Sequence, residues 1–273
     1  MKLATYTYEG RTRVGVVEDE RIHLTNESES MQYLIRRGLL PVKRNESLSL
    51  EEVKLEAPLH PGKIIAIGKN YAEHAKETGS EPPKAPIIFA KLPSAIIATG
   101  ETITWSKSIT DEVDWEGELA VVIGKKTRNV SEEDALSYVF GYTIANDVSA
   151  RDLQIKIDAQ WTRGKSLDTF CPLGPWIVTA DEIPDPHKLG IKTKVNNRIM
   201  QDGNTKDFIF NIPTLVSYCS KMFTLEAGDL IITGTPSGVG MGMKPQKFLK
   251  DGDTVDVTIE GIGKISNSCK VLE

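Results

Sequence analysis

Residues 86–89, 119–123, 141–145, 176–179 and 229–233 are short apolar runs, each bounded by Gly, Pro, Asp or Asn. Runs of this length between turn-forming residues read as buried strands. Residues 254–260 add Thr-Val-Asp-Val-Thr-Ile-Glu, the strict alternation of a strand with one wet face, after an Asp251-Gly252 turn. Helical spacing is limited beyond residue 60 to residues 71–78, 132–138, 149–157 and 212–221. Strands and helices therefore do not alternate regularly, which disfavours a doubly wound parallel sheet and predicts a strand-rich α+β fold.

The first 60 residues form a separate pattern. Residues 2–8 and 12–17 favour strands around Glu9-Gly10-Arg11, and residues 21–24 continue the meander. A helix is expected from Ser28 to Arg37, with Met31, Leu34 and Ile35 on one face and Gly38 as its left-handed cap. Pro58 and Pro61 bracket a linker before the buried strand predicted at residues 63–68. The expected organisation is a small N-terminal α/β accessory domain over residues 1–60 and a main domain over residues 61–273.

In a chain of 273 residues, 40% hydrophobic content is enough for a substantial core. A formal charge of -5 and a pI near 5.6 argue against general attraction to nucleic acid or anionic membrane, and no apolar run approaches a bilayer span. A small-molecule partner is expected. Cys171, Cys219 and Cys269 are odd in number and widely spaced, which suggests neither a disulfide framework nor a zinc knuckle. With no signal-peptide pattern at the start, the expected compartment is the cytoplasm.

Glu116 and Glu118 lie two apart at the entry to the apolar run 119–123, so on a strand they share a face. Spacing alone also allows them to end an exposed acidic loop with Asp111, Glu112 and Asp114. A third carboxylate is offered by Asp147, after the strand predicted at 141–145. Asp152 competes for that role but falls three residues after Ser149, where it suits a helix-capping arrangement. Glu116, Glu118 and Asp147 together make a hard oxygen set suited to Mg²⁺ or Mn²⁺, with Ca²⁺ a further possibility, rather than Zn²⁺.

His74 and Glu77 sit at i,i+3 on a short helix ended by Gly79 and Pro82-Pro83. They form either an ordinary surface pair or a carboxylate-oriented base on a mobile lid. Arg151 and Gln154, also three apart, suit either an anion site or an exposed helix start. Lys165 lies in Arg163-Gly164-Lys165-Ser166, which fails as a phosphate loop because position 159 is Ala159. Residues 234–240 form a glycine-rich loop carrying Thr235; it suits close backbone approach to a ligand or simply a tight connection. His23, His60 and His187 have no evident partner.

Residues 67–71 with His74, then Glu116-Gly117-Glu118-Leu119, residues 146–152, Gly164-Lys165-Ser166 and residues 234–240 resemble, in order, the fumarylacetoacetate hydrolase family. The likeness implies a mixed β-roll catalytic domain, a homodimer, and a divalent metal on Glu116, Glu118 and Asp147. It implies a water-activating dyad at His74 and Glu77, with Lys165, Arg151 and Gln154 facing carbonyl or oxyanion. Lys69, Tyr71 and Thr235 would contact substrate. The implied activity is hydrolysis of a carbon-carbon bond in an acylpyruvate-like or fumarylacetoacetate-like diketo acid. Oxaloacetate decarboxylation, hydroxymuconate-type isomerisation and non-catalytic metabolite binding are the alternatives.

Overall fold

The computed structural model describes residues 1–26, 29–157 and 160–273. Among them the larger sheet runs in the order Lys43–Ser49, Arg21–Thr25, Arg11–Glu18, Lys2–Tyr8, Cys171–Thr179, Val139–Asn146, Gly117–Ile123, Leu230–Ile232, Ile64–Gly68 and Ile87–Lys91. A second sheet runs Arg198–Asn204, Gly190–Val195, Thr254–Ile259, Gly263–Leu272 and Ile103–Ser106. The result is a strand-rich mixed fold.

Sequence pattern explains which strands lie inside. Every residue of Gly117–Ile123 is buried, as its unbroken apolar run requires of a strand covered on both faces. Thr254–Ile259 instead alternates between buried positions and exposed or half-buried ones. Each fully buried Val, Leu or Ile contributes roughly 1.5–3 kcal/mol of transfer free energy, so the central strands hold the fold together.

The N-terminal meander continues the large sheet. Leu3 pairs with Ile177 and Lys2 with Val178, antiparallel, while Lys54–Leu55 pairs back on the first strand. The first helix, α1 (Met31–Arg37), starts at Ser30, whose hydroxyl accepts the Tyr33 N–H, and ends at Gly38 with φ +62°. Ser28, the expected start, lies outside the described residues.

Helices α2 (Ala72–Glu77), α3 (Trp161–Lys165) and α4 (Ile212–Met222) complete the α-helical elements among the described residues. Two expected helices are absent. At 132–138 only a 3₁₀ turn, Ala135–Tyr138, forms. The Ser131 hydroxyl donates to Asp134 Oδ2 and accepts the Asp134 N–H, closing a side-chain turn in place of a helical one. At 149–157, Ser149–Ala150 is a short strand paired with Val113–Asp114, and a single π-type turn follows at Asp152–Lys156. Ser149 is therefore not a helix cap; its hydroxyl donates to the Asp147 carbonyl.

Candidate active site

Gly117 explains how two glutamates reach one spot. A Cβ there would stand 2.3 Å from Thr193 Oγ1 and 2.8 Å from Val257 Cγ1 of the second sheet, so only glycine permits this approach. Strand alternation then sends Glu116 and Glu118 to the opposite face. Gly117 pairs with Asn146, and the Asp147 N–H donates to the Glu116 carbonyl at 2.8 Å, which sets Asp147 beside them. One oxygen from each of Glu116, Glu118 and Asp147 lies within 4.8 Å of the others, and all three residues are buried. The exposed-loop reading is thus overturned for Glu116 and Glu118, whereas Asp111 is exposed and Glu112 half-buried. Asp114 is buried as well.

Three buried cations surround the cluster. Lys165 Nζ donates to Glu116 Oε2 at 2.7 Å and Asp147 Oδ2 at 2.8 Å. Arg151 contacts Glu116 Oε1 at 2.7 Å and Asp114 Oδ2 at 2.8 Å, and its Nη1 donates to Gln154 Oε1 at 3.0 Å. Lys91 Nζ stands 2.8 Å from Asp147 Oδ1, an ion pair by distance without hydrogen-bond alignment, and donates to the carbonyls of Val148 and Lys165. Arg151 and Gln154 are therefore built into a buried network rather than an open helix end.

The charges act unequally. Burial opposes ionisation of Glu116, but Lys165 and Arg151 outweigh it and hold the carboxyl down at about 2. Burial, then the charges of Asp147 and Glu116, push Glu118 well above the usual carboxylate range. Burial also works against the Lys165 ammonium, yet Asp147 and Glu116 more than compensate and raise its pKa. The donor set fits a hard divalent cation: three buried carboxylates converge, and one of them is repelled by the other two until positive charge is added. Asp152 is outside this set. Its Oδ1 accepts from the Thr110 hydroxyl at 2.6 Å and from the Leu153 N–H, a structural tie different from the expected cap.

Beside the cluster is a cavity of about 300 Å³, lined by Lys69, His74, Glu116, Arg151, Gln154, Lys165 and Thr235 and by apolar Phe89, Ile155, Trp161 and Met241. His74 Nδ1 bonds Glu77 Oε1 at 2.9 Å. Glu77 also accepts the Gly238 N–H, at 2.9 Å to Oε2, which fastens α2 to the glycine-rich loop. That loop is tight against its own chain: a Cβ on Gly238, whose φ is +106°, would meet the Met200 carbonyl oxygen at 1.9 Å. Thr235 donates to the Gly117 carbonyl at 3.0 Å and accepts from Gln201 Nε2 at 2.7 Å. Tyr71 does not line the cavity; its hydroxyl is buried without a hydrogen-bond partner, and burial followed by Glu118 and Asp207 raises its pKa. His187, expected to be unpartnered, accepts the Ile212 N–H at the start of α4.

The family profile described as fumarylacetoacetate (FAA) hydrolase, C-terminal, matches residues 63–270. The chain belongs to the fumarylacetoacetate hydrolase family. Members of the fumarylacetoacetate hydrolase family generally use a divalent metal, in keeping with the carboxylate set. Among curated relatives, oxaloacetate tautomerase YisK of Bacillus subtilis is 52% identical over 223 residues, covering 80% of this chain and 74% of that protein. The mitochondrial oxaloacetate tautomerase fahd2 of Xenopus laevis is 50% identical over 222 residues, covering 81% and 69%. Among solved structures, a fumarylacetoacetate hydrolase from Exiguobacterium antarcticum superposes with a TM-score of 0.92 at 42% identity, covering 100% of both chains.

Sequence reasoning missed three side chains of this fumarylacetoacetate hydrolase family site. Lys91 ends the strand Ile87–Lys91 on the face of Phe89, so a lysine closing an apolar run was its only signal. Asp114 accepts the Gly240 and Met241 N–H groups as well as Arg151. Gln201 accepts the Gly117 N–H at 3.0 Å while donating to Thr235. Asp114 stands in the acidic stretch with no local sign of this role, and Gln201 has no local signature.

Proposed function

We propose that the protein is a divalent-metal-dependent tautomerase of a short 2-oxo diacid, with oxaloacetate the first substrate to test and Mg²⁺ or Mn²⁺ the metal. The observation that carries this reading is the buried trio Glu116, Glu118 and Asp147 beside a cavity that also holds a carboxylate-oriented histidine. The two relatives at about half identity that bear the tautomerase name support it. Glu116, Glu118 and Asp147 would hold the cation, which would supply Lewis acidity toward the substrate's oxygens. Arg151, held by Asp114 and Gln154, positions positive charge where the carbonyl oxygen gains negative charge. With Nδ1 committed to Glu77, His74 keeps Nε2 to take the proton from the carbon beside the carbonyl. The electron pair of that C–H bond becomes the C=C bond, and the carbonyl oxygen takes up a proton.

The experiment follows the ultraviolet absorbance of enol oxaloacetate with protein and Mg²⁺. Keto–enol equilibration faster than in buffer, abolished by EDTA, is expected; an unchanged rate at saturating metal rejects tautomerisation. The same dyad favours a second reading, hydrolysis of an acylpyruvate, because a base held by a carboxylate can also activate water. Loss of acylpyruvate absorbance without oxaloacetate equilibration would place hydrolysis first.

A further inference from the structure

Of the cations lining the cavity, two are matched by carboxylates and one is not. Arg151 and Lys165 are both held by the buried acids. Lys69 is half-buried, and among the described residues its Nζ donates to Ser80 Oγ at 2.8 Å and stands 5.8 Å from the Trp161 ring, with no carboxylate in ion-pair contact.

Its backbone is held in a conformation that a residue with a side chain rarely adopts, φ +55°. Both neighbours enforce it. Gly68 is pressed on Trp161, where a Cβ would stand 2.4 Å from Cζ3. Asn70 is bonded to the Phe210 and Thr233 carbonyls and to the Phe210 N–H. A strained residue over-determined in this way is characteristic of a functional position.

Two rings in contact link this ammonium to the lysine of the acid cluster. Lys165 Nζ is 5.4 Å from the Phe89 ring, Phe89 meets Trp161 edge-on at 5.4 Å, and Lys69 Nζ stands over the Trp161 ring. The cavity lining therefore joins the acid cluster, through two aromatic rings in contact, to an ammonium without a carboxylate partner among the described residues. We infer that Lys69 recognises a second carboxylate, remote from the acid cluster, and so makes the site select 2-oxo diacids over 2-oxo monoacids. This rests on the proposed reading of the cavity as a 2-oxo diacid site and names the residue that enforces that choice.

The test uses oxamate and N-oxalylglycine, which share a chelating head and cannot enolise; only the second has a distal carboxylate. Calorimetry with Mg²⁺ gives dissociation constants for wild type, Lys69→Met and Lys69→Arg. Wild type should prefer N-oxalylglycine by at least about tenfold, the scale of one charge-assisted hydrogen bond. Lys69→Met should erase most of that preference and Lys69→Arg should keep it. Because each preference is a ratio within one protein, it does not depend on the folded fraction. A preference that persists in Lys69→Met, or is absent from wild type, overturns the assignment. A Lys69-dependent preference in a protein that does not equilibrate oxaloacetate would uphold diacid recognition while rejecting the tautomerase reading.

Discussion

Among the described residues Glu118 has no cation in ion-pair contact: the Gly234 N–H donates to its Oε2 at 2.7 Å, while burial, Asp147 and Glu116 all oppose its charge. Glu118→Gln keeps the shape and removes the repulsion. The metal-free variant should melt higher than wild type, by about 2–4 °C for each kcal/mol recovered, and should lose the Mg²⁺-dependent shift. Thermal melts with Mg²⁺ and with EDTA check both; a retained shift would remove Glu118 from the ligand set. Glu116 behaves oppositely. Its folded pKa is depressed from 4.5 to about 2, so the stability it brings is complete above pH 4.5 and is lost as pH falls through 2. His74→Ala should keep the metal-dependent shift while lowering turnover at least about a hundredfold, the scale of a lost general base. Undiminished kcat for both oxaloacetate and acylpyruvate would exclude His74 as the base.

Elements position these groups by leaning on one another. At six residues α2 is too short to be stable alone, and it is held by the Tyr71–Phe208 bridge at its start and the Glu77–Gly238 bond at its end. Gly117 sets the spacing between the two sheets. Gly117→Ala places a Cβ against Thr193 and Val257, which should cost about 1–3 kcal/mol as an overpacked core does. The same displacement moves Glu116 and Glu118, so Mg²⁺ affinity should fall along with stability. Urea unfolding and metal titration measure the two effects; an unchanged urea midpoint would show that the sheets can part there without strain.

On the scale of the molecule, the strands of residues 1–60 share one sheet with those of the rest. The family profile begins at residue 63, yet Lys2–Tyr8 is hydrogen-bonded beside Cys171–Thr179 and covers buried Ile177 and Val178. Removing residues 1–60 exposes an apolar strand edge, a template for aggregation. We expect the fragment 61–273 to aggregate or to lose its cooperative melt. A soluble fragment with a wild-type melting curve would instead show an independent main domain.

Local periodicity made much of this legible. Alternation alone puts Glu116 and Glu118 on one face, i,i+3 spacing puts His74 beside Glu77, and a glycine after apolar helix positions ends α1 at Gly38. These follow from covalent geometry, which repeats every two residues in a strand and about every 3.6 in a helix. The helix expected at 149–157 failed because the backbone of Ser149 and Ala150 found partners at Val113–Asp114, a pairing no local signal records. The roles of Lys91, Asp114 and Gln201 were hidden for the same reason. Lys91 bonds the Lys165 carbonyl 74 positions away, and Gln201 the Gly117 N–H 84 positions away. Sequence spacing determined which side chains share a face; sheet order and register decided which distant faces meet, because burying the apolar strands is what brings those charges together.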